Sequence, residues 1–199
     1  MPKLPSHAEI ETAVLASVNE LMGKFCNEPY SFLYESDLQA TLFAELRSRL
    51  TGRVEIPRSN SAQPPYGLGL VYSEYLSRID IACLDPDLVR SAESKRHKGH
   101  DTYIYNLPVY AGIELKYLKM GDRFDFSACL GDFGKLKALG IVRPLALGFI
   151  QDAGDEDVFL SAVPAEWKRE SEVAKVSALD CICVVSPNDT FIFTKTTPG

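Results

Sequence analysis

Apolar residues recur at helical spacing in the first quarter of the chain. Residues 8–25 carry them three or four positions apart, as one face of an amphipathic helix requires. From residue 35 onward a leucine follows at every fourth position, and Gly52 then marks the end of the helix. The pattern predicts two helices that each bury one apolar face. The leucines of the second helix are Leu38, Leu42, Leu46 and Leu50.

Strand patterns dominate the middle and the end of the chain. Some segments alternate apolar and polar residues with a period of two, and one is apolar throughout, as in a strand covered on both faces. Residues 58–69 are rich in Pro, Gly and Ser, which predicts a loop. The predicted strands are residues 53–57, 77–84, 109–117, 144–150, 180–185 and 190–194.

Two more helices are predicted, one over residues 126–140 and one over residues 165–176, AEWKRESEVAKV. The order of elements indicates an α/β (α+β) fold, a mixed central β-sheet flanked by helices. We expect one domain over residues 1–199, consisting of an N-terminal helix (8–25), a core of about residues 30–150 and C-terminal strands (180–194).

The composition, 46% hydrophobic and 24% charged residues, is that of an ordinary globular domain. The formal net charge of −6 argues against a polyanion-binding surface over the whole protein, so nucleic acid would need a local basic patch. The sequence contains no apolar run of about 18 residues, so no membrane-spanning helix is expected. Its first residues lack the apolar region of a secretory signal. Five cysteines without a CxxC pair favour a cytoplasmic location, and Cys181 and Cys183 are predicted to be core residues of a strand.

Charged residues interrupt two of the apolar strand segments. The segment YAGIELKYLK carries Glu114 and Lys116, which fall on the same face because strand side chains alternate. Tyr110 and Gly112 share that face in a regular strand, whereas Val109 lies on the other. In the preceding strand, Asp80 lies opposite to its isoleucine neighbours. If these two strands pair, Asp80, Glu114 and Lys116 converge.

Two carboxylates at one spot repel each other unless a proton or a cation lies between them. The oxygen ligands of Asp80 and Glu114, with no histidine or thiolate beside them, favour Mg²⁺ or Mn²⁺. Lys116 beside such a metal could orient a water molecule and neutralise charge on a phosphoryl oxygen. This combination is typical of phosphodiester hydrolysis.

Glu35 is a further candidate ligand at the start of the second helix. It precedes Leu38, Leu42 and Leu46 by three, seven and eleven residues, so on a regular helix it faces the sheet with them. However, residues 36–39 match a capping box, which would leave Glu35 before the first turn and in water. Both positions for Glu35 stay open.

In these features the chain resembles the PD-(D/E)XK nuclease superfamily, whose members have a restriction-endonuclease-like fold. That family has a helix with an acidic residue, a strand, a strand with Asp, a strand with Glu-x-Lys, and then a helix and further strands. The resemblance implies that Asp80, Glu114 and the Leu115 carbonyl, with Glu35, hold Mg²⁺ or Mn²⁺. It also implies that Lys116 orients and activates water to cleave nucleic acid, with DNA as the expected substrate and a homodimer or partner subunit as an option.

Basic residues that could contact the substrate lie in two places. Lys95, Arg96 and Lys98 belong to a basic cluster between the two motif strands and are predicted to bind phosphates, although a solvated loop explains them equally well. Lys135 and Lys137 follow on the next helix, where reaching a phosphate and lying on the outer face are equal alternatives.

Two other interpretations compete with a nuclease. The chain could be a catalytically degenerate member of the same fold that binds nucleic acid or a protein. The charged residues could also form a buried ion pair that only sets strand register. Finally, two other E-x-K tripeptides occur, at residues 93–95 in a polar loop and at residues 166–168 in a predicted helix, so the tripeptide alone is weak support.

Overall fold

The computed structural model of the protein describes most of the chain. The described residues are 4–56, 58, 62, 64–75, 79–90, 96–97, 100–101, 107–119, 122, 125–170 and 175–195.

Five α-helices lie in the described part of the chain. The capping box of the first pairs the Ser6 hydroxyl with the Glu9 main-chain N–H, and the Glu9 side chain with the Ser6 N–H. None of the described helices is both long and apolar enough to cross a membrane. The helices are α1 (His7–Asn27), α2 (Glu35–Arg49), α3 (Pro86–Arg90), α4 (Phe126–Ala138) and α5 (Glu156–Leu160), with 3₁₀ turns at Pro29–Ser31 and Ala153–Asp155.

The described strands form one large sheet and two small ribbons. They are β1 (Arg53–Ile56), β2 (Tyr66–Gly69), β3 (Val71–Tyr75), β4 (Ile79–Leu84), β5 (Arg96–His97), β6 (His100–Asp101), β7 (Val109–Leu118), β8 (Arg143–Ile150), β9 (Trp167–Glu170), β10 (Cys181–Val185) and β11 (Thr190–Lys195). The large sheet has the order β3-β4-β7-β8-β10-β11-β9. β8 is parallel to both β7 and β10, and the other pairs of this sheet are antiparallel. The mixed sheet with helices confirms the predicted fold class.

Helices cover the two faces of the large sheet. α1 and α2 pack against one face, where they contact Leu145 and Leu147 of β8, and α4 and α5 pack on the other, which carries Ala146 and Ile150. This explains why the segment at β8 is apolar throughout. Cys181 and Cys183 of β10 are buried, which confirms the prediction that they are core residues.

Several local predictions were wrong. The predicted helix at residues 165–176 contains the strand β9, because Trp167 packs against Phe126 and Phe133 and the segment pairs with β11. Tertiary contacts there override helical preference. The predicted loop at residues 58–69 contains β2, which pairs with β1.

A β-bulge changes the alternation at the start of β7. Cys83 of β4 pairs with Ala111, but Leu84 pairs with Val109, so Tyr110 is the extra residue. Tyr110 is directed to α1, where its ring stacks on His7 at 4.1 Å. The prediction that Tyr110 shares a face with Glu114 was therefore wrong, because the bulge interrupts the period of two.

Candidate active site

The candidate site lies beyond the last pair of β4 and β7 in the described part of the chain. That pair is Ile81–Ile113, and β7 continues from there to Leu118. Beyond this point the N–H of Leu115 donates to Oδ2 of Asp80 at 2.8 Å, and the N–H of Tyr117 donates to Oε2 of Glu35 at 3.1 Å. Two side-chain carboxylates thus take the place of main-chain acceptors. We call residues 114–118 of β7 the open edge.

The open edge also fixes the direction of the Leu115 carbonyl. In an antiparallel ladder the N–H and C=O of a hydrogen-bonded residue point to the same neighbouring strand. Because the Leu115 N–H points to Asp80, its carbonyl is directed to the same side. The Leu115 carbonyl oxygen and the Asp80 carboxylate, both predicted as ligands, therefore lie on the same side of β7.

Glu114 is the most buried charged group of the site, with only 2% of its surface exposed. Its Oε2 accepts a hydrogen bond from Nζ of Lys135 at 2.6 Å, whereas its Oε1 is buried without a hydrogen-bond partner among the described residues. Burial, reinforced by the charge of Asp80, raises the pKa of Glu114 to about 7 despite the contact with Lys135. When Glu114 is ionised, its Oε1, which has no hydrogen-bond partner among the described residues, is available to a further cation.

Lys116 points to the same side of β7 as Glu114 but has a different partner. Its Nζ lies 2.9 Å from Oδ2 of Asp132 on α4. Burial alone would lower the pKa of Lys116, but the Asp132 contact and the charge of Glu35 raise it. Lys116 is therefore an ammonium ion in this site and cannot take up a proton.

Glu35 and Asp80 reach the open edge from different elements, α2 and β4. α2 begins at Glu35 with Tyr34 as its N-cap residue, and Asp37 accepts the N–H groups of Leu33 and Tyr34, so Ser36 is not the cap. Of the two alternatives, the structure thus shows the one in which Glu35 approaches the sheet. Burial raises the pKa of both Glu35 and Asp80.

Three residues of the site were not among the predicted site residues. Gln39, one turn after Glu35, donates from Nε2 to the Asp80 carbonyl at 2.9 Å and to Glu74 Oε1 at 2.8 Å. Asp132 lies three residues after Cys129 and four before Leu136, so its place within the buried stripe of α4 was a usable signal. For Lys135 the sequence left two alternatives, and the structure directs it to Glu114.

The site carries more negative than positive charge. Four carboxylates and two ammonium groups leave a formal charge of −2 when all are ionised, and the orphaned Glu114 oxygen lies among them. Oxygen donors with excess negative charge suit a hard divalent cation, so the residues present fit Mg²⁺ or Mn²⁺. The six residues are Glu35, Asp80, Glu114, Asp132, Lys116 and Lys135.

The predicted phosphate-binding residues stay predictions. Arg96 contributes its main chain to the β5–β6 ribbon, and Lys95 and Lys98 lie outside the described residues. The competing E-x-K tripeptide at residues 166–168 runs into the edge strand β9, where Lys168 is exposed. It therefore lacks the buried setting of Glu114.

A second group with metal-binding potential lies elsewhere. The side chains of His7, Asp85 and Asp87 bring one potential ligand atom each to within 4.8 Å of one another. However, Asp85 accepts hydrogen bonds from the N–H groups of Asp87 and Leu88 and lies 3.2 Å from His7 Nε2. Its Oδ1 is thus used at the start of α3, whereas its Oδ2 lies beside a His7 Nε2 that is itself buried without a hydrogen-bond partner among the described residues.

Comparisons with protein-family models, curated proteins and solved structures gave no match to this chain. The functional interpretation therefore depends on the geometry of the open edge and on the residues around it.

Proposed function

We propose that the protein is a metal-dependent nuclease that hydrolyses phosphodiester bonds in the cytoplasm, with DNA as the expected substrate. The observation that carries this proposal is the open edge of β7. There Asp80, Glu114 and Lys116 lie close enough for their charges to shift one another's pKa, and Oε1 of Glu114 is buried with no hydrogen-bond partner among the described residues. Mg²⁺ or Mn²⁺ is the cofactor that these ligands suit.

The order of elements supports the resemblance to restriction-endonuclease-like proteins. α2 with Glu35 comes first, and β3, β4 with Asp80 and β7 with Glu114 and Lys116 follow. α4 and β8 complete the pattern. With the ribbons β1–β2 and β5–β6 and the short helix α3 set aside, the order from α2 onward is helix, three strands, helix, strand, as the resemblance implies.

Each residue would have a distinct role. A bound metal would polarise the phosphodiester and lower the pKa of its water ligand. Asp80, Glu114 and the Leu115 carbonyl would hold the metal, with Glu35 as an additional ligand. Lys116, as an ammonium ion, would donate a hydrogen bond to the attacking water or to a phosphoryl oxygen and stabilise the charge that develops there. Asp132 would keep Lys116 in position.

The experiment is cleavage of supercoiled plasmid, branched DNA and single strands with Mg²⁺ or Mn²⁺, and with EDTA. Asp80→Asn and Lys116→Ala should each reduce the rate by about 100-fold or more. Their matched controls are Asp87→Asn and Lys137→Ala, exposed residues outside the site. A Lys116→Ala variant that cuts as fast as the parent would refute the role of Lys116.

The net charge of −6 is the observation that favours the alternative, a degenerate binding module. If no substrate is cut and Mn²⁺ does not raise the melting temperature, this alternative replaces the nuclease. If Mn²⁺ raises the melting temperature without cleavage, a metal site exists whose substrate or partner subunit was missing from the assay. If the protein instead cuts both strands of a duplex, we expect it to act as a homodimer or with a partner subunit.

A further inference from the structure

Lys135 already occupies part of the candidate cation site. Its Nζ lies 2.6 Å from Oε2 of Glu114 and 3.6 Å from Oδ1 of Asp132. The two partners differ in access to water, because the Lys135 side chain is 38% exposed and that of Glu114 only 2%. The ammonium can thus move into solvent, whereas the carboxylate cannot.

We propose that Lys135 is a displaceable internal cation, which competes with the divalent metal for Glu114 and so sets the metal affinity of the site. The inference depends on the proposed function, because it assumes that the site binds a metal. It adds a role for a residue of α4 that lies outside the Asp80, Glu114 and Lys116 constellation.

Charge and flexibility explain why Lys135 would leave. A divalent ion at Glu114 would lie close to the Lys135 ammonium and repel it. The lysine side chain is a flexible four-carbon stem with a compact charge, so it can turn outward. The free energy of the Lys135–Glu114 contact is then lost, and the net free energy of metal binding is smaller by that amount.

Lys116 is not suited to this role. Its ammonium contacts Asp132 at 2.9 Å, and no contact of Lys116 with Glu114 occurs in the described ion pairs. The two lysines thus have different roles. Asp132 holds Lys116 in place for the reaction, and Lys135 neutralises the negative charge of Glu114 until a metal binds.

The test is calorimetric titration of the full chain with MnCl₂, for the parent, Lys135→Gln and Lys137→Gln. Lys137 is the matched control because it lies on the same helix, carries the same charge and pairs with Asp180 at 2.6 Å, outside the site. We expect Lys135→Gln to bind Mn²⁺ about tenfold more tightly than the parent and Lys137→Gln to change the affinity by less than about twofold. Equal affinities of the two variants, or weaker binding by Lys135→Gln, would overturn the inference.

Two more variants separate this inference from the proposed function. In Lys135→Arg, the arginine side chain can hold Glu114 through a bidentate contact. This variant should therefore bind Mn²⁺ more weakly than the parent, and tighter Mn²⁺ binding would contradict the inference. Glu114→Gln should lose Mn²⁺ binding. If the parent binds and Glu114→Gln does not, but Lys135→Gln leaves the affinity unchanged, the metal site stands and only the role of Lys135 fails. If neither the parent nor Lys135→Gln binds Mn²⁺, both proposals fail.

Discussion

Glu114 and Asp85 are two carboxylates buried almost equally, with 2% and 4% of their surfaces exposed. Asp85 follows β4, and its Oδ1 accepts the N–H groups of Asp87 and Leu88 at 3.0 and 2.9 Å, which starts α3. Its Oδ2 lies 3.2 Å from His7. In Glu114, by contrast, one oxygen meets Lys135 and the other has no hydrogen-bond partner in the described part of the chain.

The difference separates a structural carboxylate from a candidate ligand. Leaving a buried polar atom without a partner costs free energy, so folded proteins rarely keep one unless something else satisfies it. Proximity alone does not make this distinction, because the group around Asp85 also brings three potential ligand atoms together. To recognise a candidate metal ligand, it is more informative to ask which carboxylate oxygens lack a hydrogen-bond partner in the protein than to ask which ones lie close together.

The largest expected effect comes from removing the structural carboxylate. Asp85→Ala removes the cap of α3 and the partner of His7, so we expect the free energy of unfolding to fall by about 3 kcal/mol. Urea denaturation measures this change. The rise in melting temperature with Mn²⁺ should remain the same as in the parent. A loss of less than about 0.5 kcal/mol would show that Asp85 is not the structural member of the pair.

An intermediate effect is expected in the way the contribution of Glu114 to stability changes with pH. Because burial raises its pKa from 4.5 to about 7, the fold favours its protonated form. The resulting stabilisation is fully present below about pH 4.5 and is lost as the pH rises through about 7. In EDTA, the stability of the parent relative to Glu114→Gln should therefore fall by on the order of 2 kcal/mol between about pH 5 and about pH 8. Urea titrations at each pH would detect it, and a difference that does not vary with pH would rule it out.

The smallest effect is expected at Asp87, the exposed member of the second group. Its Oδ2 lies 3.9 Å from His7 Nε2, and its side chain is 71% exposed. Asp87→Asn should change the free energy of unfolding by about 0.5 kcal/mol at most and leave the Mn²⁺ response unchanged. A weaker Mn²⁺ response in this variant would mean that the metal binds beside Asp85 and not at Glu114.

The convergence of Asp80, Glu114 and Lys116 could be predicted because it follows from alternation in two strands that prove to be neighbours. Ile81 pairs with Ile113, and Asp80 and Glu114 are the residues that flank this pair. For Glu35, the leucine spacing of α2 favoured the sheet and the capping box favoured water, and the structure shows the first of these alternatives.

Other features depend on packing that no local pattern contains. Lys135 and Lys137 lie about 200° apart around the helix axis, and only the docking of α4 decides which one reaches Glu114. For the start of α2, the capping box at residues 36–39 predicted Ser36 as the cap, but the helix begins at Glu35, and Asp37 accepts the N–H groups of Leu33 and Tyr34.

The open edge also couples the main chain of β7 to the charges around it. The amide protons of Leu115 and Tyr117 bond to one carboxylate oxygen each of Asp80 and Glu35, the side chains proposed to hold a cation. An ion bound to those carboxylates would change the charge that these two backbone amides of a central strand meet. The chemical shifts and exchange rates of these two protons therefore report the state of the site, without a substrate and without an added label.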